Sequence, residues 1–193
     1  SADRATLLDA VRVKATLRGR ENSDDSSGDG SAGPWRVPSA ATPGSANLLD
    51  VTDSIVINEI QYHRAPLSRE GEPFAARTEE WIELYNRGTE AVDLSGWQLV
   101  DAIAFEMPAG TVLSPDAYLV VAGDADALRG EYPGADIIGD FAGQLDNGSD
   151  RILLLDQSGN PADEVRYFDG GRWPAAADGG GSSLELRNAN ADN

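Results

Sequence analysis

The chain has 193 residues, 40% of them hydrophobic and 25% charged, with no cysteine and a formal net charge of −18 at pH 7. The missing cysteines exclude disulfides and thiolate metal sites, and the single histidine, His63, excludes multi-histidine metal centres. No apolar run approaches the ~20 residues that span a bilayer, so no membrane insertion is expected.

The charge is uneven. Residues 1–53 hold 8 acids and 6 bases (−2), whereas residues 54–193 hold 25 acids and 9 bases (−16). A field of that sign repels phosphate backbones, which proteins bind through Lys and Arg, so no nucleic-acid partner is expected. It is compatible with cations, and it also serves solubility.

The first predicted element is a strand within residues 1–22. Val11, Val13, Ala15 and Leu17 alternate with Arg12, Lys14 and Thr16, the period of two of a half-buried strand. Asp9–Val13 (DAVRV) resembles Asp163–Tyr167 (DEVRY), and Ala15–Asp24 resembles Ser183–Asp192. The opening strand therefore reads either as the remnant of a preceding module or as coincidence between short β-motifs. Residues 23–53 are rich in Ser, Asp, Gly and Pro. They bury too little apolar surface to offset their ordering entropy, and read as a flexible linker.

From Ser54 short apolar runs recur at 54–62, 80–86, 92–101, 117–123, 151–156, 163–168 and 182–187. Asn, Asp, Gly and Pro turns separate them. Helical period is scarce, with a turn or two expected only at GDADALRGEY. The pattern predicts an all-β, antiparallel β-sandwich or barrel over residues 54–188, with the N-terminal strand and linker as an extension. Residues 189–193 read as the start of a further linker.

EEWIELYN (Glu79–Asn86) concentrates acids and aromatics. As a strand it directs Ile82 and Leu84 to the core, and Trp81, Glu83 and Tyr85 to the other face. Glu80 shares the core-facing parity but, at the strand entrance, is expected to stay wet. Glu80 and Glu83 lie on opposite faces, so they do not form the acid pair of a glycosidase. No Gly-x-Ser-x-Gly elbow is present, and the glycines of ADGGGSS precede a strand rather than a phosphate-binding helix. No enzymatic activity is expected. Trp81, Glu83 and Tyr85 are a first candidate binding surface; Arg172 and Trp173, in the long loop 168–181, are a second.

Clustered oxygens could hold a hard cation. DNGSD offers Asp146, Asn147 and Asp150, and Asp124, Asp126, Asp136 and Asp140 are further acids near one another in sequence. Ca²⁺ is the ion such a loop would take, although Asn-Gly is also a strong hairpin signal. No cofactor is required.

IVINEI, EEWIELYN, LSGWQLVD, FEMPAGTVLSPDAYLVVAG, NGSDRILLLDQSGNPADEVRY and GGGSSLELRN stand in this order between residues 54 and 188. The ordered set resembles the lamin tail domain family, in particular its bacterial branch. The resemblance implies an immunoglobulin-like β-sandwich with Ile82, Leu84, Trp97, Leu99, Ile152 and Leu154 in the core. It places Gly96–Trp97 at a strand start, where Gly relieves crowding, and a bend at Met107–Pro108. In animal lamins the domain is a docking module on a filament protein, without enzymatic activity. No coiled-coil heptads occur here, so no filament is implied. Bacterial copies resemble accessory modules of long exported or surface proteins. The expected function is therefore a non-catalytic interaction or structural module of a larger exported or cell-surface bacterial protein, in the extracellular space or cell envelope, with a protein or surface-glycan partner. The alternative is a calcium-assisted carbohydrate-binding module that uses Trp81, Tyr85 and Trp173.

Overall fold

The computed structural model describes residues 37–38, 40–46, 52–66 and 79–189. The predicted strand in 1–22 and most of the linker 23–53 lie outside the described residues. The chain divides into two units, Ser1–Val51 with Ser158–Asn160, and Thr52–Gln157 with Pro161–Asn193. In the first, the Val37 N–H donates to Asn160 Oδ1 (2.6 Å) and Asn160 Nδ2 donates back to the Val37 carbonyl (3.0 Å).

The second unit contains strands β1 (Ile55–Gln61), β2 (Trp81–Asn86), β3 (Val92–Asp93), β4 (Gln98–Asp101), β5 (Ile103–Glu106), β6 (Val112–Leu113) and β7 (Tyr118–Ala122). Helix α1 (Ala125–Glu131) follows, then β8 (Ile137–Gly139), β9 (Ala142–Gly143), β10 (Ser149–Leu155), β11 (Pro161–Phe168) and β12 (Leu184–Glu185). One five-stranded sheet has the order β12-β1-β2-β7-β8, the other β11-β10-β4-β5-β9, and β3 pairs with β6.

Alternation along each strand explains the two layers. Ile82 and Leu84 of β2, Leu119 and Val121 of β7, Leu99 of β4, and Ile152 and Leu154 of β10 share one buried cluster with Trp97. The core expected from the sequence is therefore the core of the sandwich. Tyr62 stacks on Tyr167 with ring centroids 4.6 Å apart, and the Tyr167 hydroxyl donates to the Asp146 carbonyl (2.7 Å).

β1 breaks the simple alternation. Ile57 pairs with Leu84 and Glu59 with Glu83, so Asn58 is an extra residue against β2. Such a bulge shifts the side-chain period by one. Ile55 and Ile57 before it, and Ile60 and Tyr62 after it, all join the core cluster. Glu59 and Gln61 are thereby turned to the outer face, opposite Glu83 and Trp81.

Other features depart from the sequence reading. β7 and β8 are parallel, where only antiparallel pairs were expected. A parallel neighbour needs a crossover of a dozen or more residues, and residues 123–136 supply it with α1 inside. The Asp124 carboxylate caps α1 by accepting from the Ala127 N–H (2.9 Å), and Asp140 accepts from the Ala125 N–H (2.7 Å). Glu80 is not wet. It is only 6% exposed, and it accepts from the Leu145 N–H (2.7 Å), so the chain entering β10 closes over it. Asn147–Gly148 is not a hairpin turn, because β10 pairs with β4 and β11 rather than with β9. Gly96 is required by its φ of +72°, not by crowding: a Cβ there would meet nothing nearer than the Gln157 side chain at 3.7 Å.

Candidate functional site

The outer face of the β12-β1-β2-β7-β8 sheet carries a groove of about 470 Å³. Its floor is Glu59 and Gln61 of β1, Trp81 and Glu83 of β2, Val120 of β7 and Ile137 of β8. Leu128 of α1, Tyr132 and Ala135 line it, as do Gly181, Ser182, Ser183 and Glu185. Arg64 and Ala65 complete the lining.

Each part is positioned by local chemistry. Ala125 and Leu128 of α1 bury against Val120, Ala122 and Ile137, and Trp81 packs at the side of this small apolar cluster. The indole is thus held by its flank and is half-buried. The glycines of residues 179–181 belong to a tightly fitted connection. A Cβ at Gly180 would lie 2.7 Å from the Ala176 carbonyl oxygen, and one at Gly179 would lie 3.1 Å from the His63 ring. His63 Nδ1 is hydrogen-bonded to Asp178 Oδ1 (2.6 Å), which tethers the same connection. Arg64 donates to both carboxylate oxygens of Glu131 (3.0 and 2.6 Å), joining the end of β1 to α1.

The electrostatics are one-sided. Glu59 lies opposite Glu185 on β12 and opposite Glu83 on β2. A row of carboxylates therefore crosses adjacent strands. Glu83 Oε1 accepts from Asn58 Nδ2 (2.8 Å), and Glu59 accepts from the Ser183 hydroxyl. Gln61 is 5% exposed, and its Nε2 has no hydrogen-bond partner.

Burial raises the carboxyls of Glu59, Glu80 and Glu83 above their ordinary 4.5. Each binds its proton more tightly in the folded than in the unfolded chain. The stability they contribute is fully present below pH 4.5 and is lost as pH rises through the folded-state values. Asp93 and Asp146 have the opposite sign. Hydrogen bonds from Ser95, and from Gly148 and Ser149, lower them below 3.8, so their contribution is lost only in stronger acid. The melting temperature is therefore expected to rise between pH 7 and pH 5. A flat or falling profile over that interval, measured by circular dichroism, would mean that these three glutamates are not desolvated.

The sequence-predicted residues fall into three places. Trp81 and Glu83 line the groove. Tyr85 shares their face of β2 but lies beyond it, stacked on Tyr118 at 4.6 Å with its hydroxyl donating to Asp116 (3.0 Å). Arg172 and Trp173 follow β11, the edge strand of the other sheet, where the guanidinium carbon sits 5.8 Å from the indole centroid and Trp173 packs partly on the core. Asp146 and Asn147 lie in the bend ahead of β10, and Asp150 is the second residue of β10 itself. Asp146 Oδ1 accepts from the N–H groups of Gly148 (2.7 Å) and Ser149 (3.1 Å), and Asp150 Oδ1 accepts from the Arg151 N–H (2.8 Å). Among the described residues, no three His, Cys, Asp or Glu side chains could hold a metal ion together. Glu59, Gln61 and Glu185 were not singled out from the sequence. Only their pairing across strands marks them, and that pairing is not readable without the register.

The described residues thus form a two-layered β-sandwich with a groove on the outer face of one sheet. The lamin tail domain family matches residues 50–169, and the chain belongs to that family of non-enzymatic, immunoglobulin-like protein-interaction modules. No curated protein matches the chain. The family match stops before Gly181, Ser182, Ser183 and Glu185, which line one part of the groove. Among the described residues, no helix is long and apolar enough to cross a membrane.

Proposed function

We propose that the chain is a non-catalytic interaction module of a larger exported or cell-surface bacterial protein, and that it holds a protein partner in the outer-face groove. The observation that carries this reading is the groove itself, where the half-buried Trp81 and Gln61, whose Nε2 has no hydrogen-bond partner, share one concavity. Aromatic side chains are frequent anchors at interfaces, and binding pockets combine apolar walls with a few placed polar groups. Membership of a protein-interaction family supports the same reading, while the bacterial and exported setting rests on the resemblance of the ordered motifs.

The test is peptide display on the intact chain, with binders re-measured on Trp81→Ala. Peptides that bind the wild type and lose about tenfold or more on Trp81→Ala are expected, as for a truncated anchor worth ~1.4 kcal/mol or above. Glycan binding that needs millimolar Ca²⁺ and vanishes in EDTA, with no peptide selected, would instead make the chain a calcium-assisted carbohydrate-binding module.

A further inference from the structure

We infer that the groove accepts an arginine side chain of an extended peptide, with the guanidinium among Glu59, Glu83 and Glu185 and a peptide carbonyl on Gln61. The inference rests on the interaction-module reading above and names the chemistry of the partner.

Among the described residues, no Lys or Arg forms an ion pair with Glu59, Glu83 or Glu185. Like charges placed opposite each other across strands destabilise a sheet, and Glu59 faces a glutamate on both sides. Among the described residues, Arg64 is the one cation of the groove lining, and it is committed to Glu131 through two hydrogen bonds. The described groove thus carries an excess of negative charge, and at the half-buried Glu59 and Glu83 screening by water is weaker than in bulk.

The shape of the row selects the cation. Its acids do not form a group that could hold a metal ion. A guanidinium spreads its charge over a planar fork with five N–H donors, so it can address carboxylates that do not converge on a point. An ammonium is a compact charge and gains less from such spacing. The aliphatic stem of an arginine also matches the apolar walls, Trp81 and Tyr132.

Gln61 supplies the second, independent requirement. Its buried Nε2 is a donor without an acceptor, a state that costs folding free energy. Arginine side chains carry donors only and cannot satisfy it. The ligand must bring an acceptor as well as a cation, and the main-chain carbonyl of a peptide is both near the side chain and of the right kind.

The experiment is an NMR titration of the isotope-labelled full chain at 150 mM salt, using the probe acetyl-Gly-Ala-Arg-Ala-Gly-amide and its citrulline counterpart. Citrulline keeps the shape and loses the charge. The arginine probe is expected to shift the side-chain resonances of Trp81 and Gln61, and to bind about tenfold or more tightly than the citrulline probe. Glu83→Gln and, separately, Glu59→Gln should each weaken the arginine probe severalfold while raising the melting temperature at pH 7, because each relieves the like-charge row. A purely structural glutamate would not move both readouts in opposite directions. Equal binding of the two probes, shifts confined to exposed acids such as Asp126, or unchanged affinity in both variants would each overturn the inference. If display yields peptides that need Trp81 but contain no arginine, this inference fails and the interaction-module reading stands.

Discussion

Asn86→Asp is expected to lower the melting temperature of the sandwich by roughly 10 °C, a loss of about 3 kcal/mol or more. Asn86 is fully buried at the end of β2. Its Nδ2 donates to the carbonyls of Glu90 (2.9 Å) and Leu113 (2.9 Å), and its Oδ1 accepts from the Gly88 N–H (2.9 Å). One side chain thus serves main-chain groups of β6 and of the turn after β2. An aspartate has the same shape but, when ionised, donates nothing. It would face two carbonyl oxygens with a negative charge and no water. Neutralising the acid in a buffer near pH 4 should recover part of the loss, since a protonated carboxyl regains one donor. A fall of less than about 3 °C at pH 7, seen by differential scanning calorimetry, would show that this corner does not depend on the Asn86 amide.

Trp97→Ala is expected to cost about 3–5 kcal/mol. The indole is 4% exposed and belongs to the central cluster with Leu99, Ile152 and Leu154. Its main chain is fixed independently: the Trp97 N–H donates to the Leu94 carbonyl (2.9 Å), and its carbonyl accepts from the Met107 N–H (2.8 Å). A strand start held in this way cannot collapse freely into the space an alanine would leave, which places the cost at the upper end for large-to-small changes. Urea unfolding measures it, with an unchanged slope against denaturant as the sign that the unfolded state is not altered. Val112→Ala is the control. Val112 is 57% exposed, and its truncation should stay within about 0.5 kcal/mol. Equal effects of the two substitutions would mean that Trp97 does not fill the core.

Strand existence and core identity were legible because period-two alternation is a local signal. Ile82 and Leu84 alternate with Trp81 and Glu83, the resemblance to the lamin tail domain family added Leu99, Ile152 and Leu154, and all five are buried. Trp81 and Glu83 were legible as an outward-facing pair for the same reason. Glu80 was misread because parity gives direction only. What covers an inward-facing acid at a strand entrance is set by distant chain, here the Leu145 N–H 65 positions away. DNGSD was misread because a turn signal says that the chain bends, not which strands flank the bend.

The groove divides in the same way. By itself, the sequence determined the all-β class, the inward-facing pair Ile82 and Leu84 and the acidic surplus, since these follow from composition and from the pleat of single strands, while the ordered motifs, through their resemblance to a family, pointed to the two-layered sandwich. The tertiary structure alone decided that Glu59, Glu83 and Glu185 stand in one row with Gln61 beside them. That depends on an extra residue at Asn58, which turns Glu59 and Gln61 outward, and on β12 returning from the far end of the chain to pair with β1. Both are matters of register. A one-residue slip reverses every side chain on a strand, and the free energy that fixes the register comes from burying Ile55, Ile57, Ile60 and Tyr62 together against the opposite sheet, not from any signal local to β1.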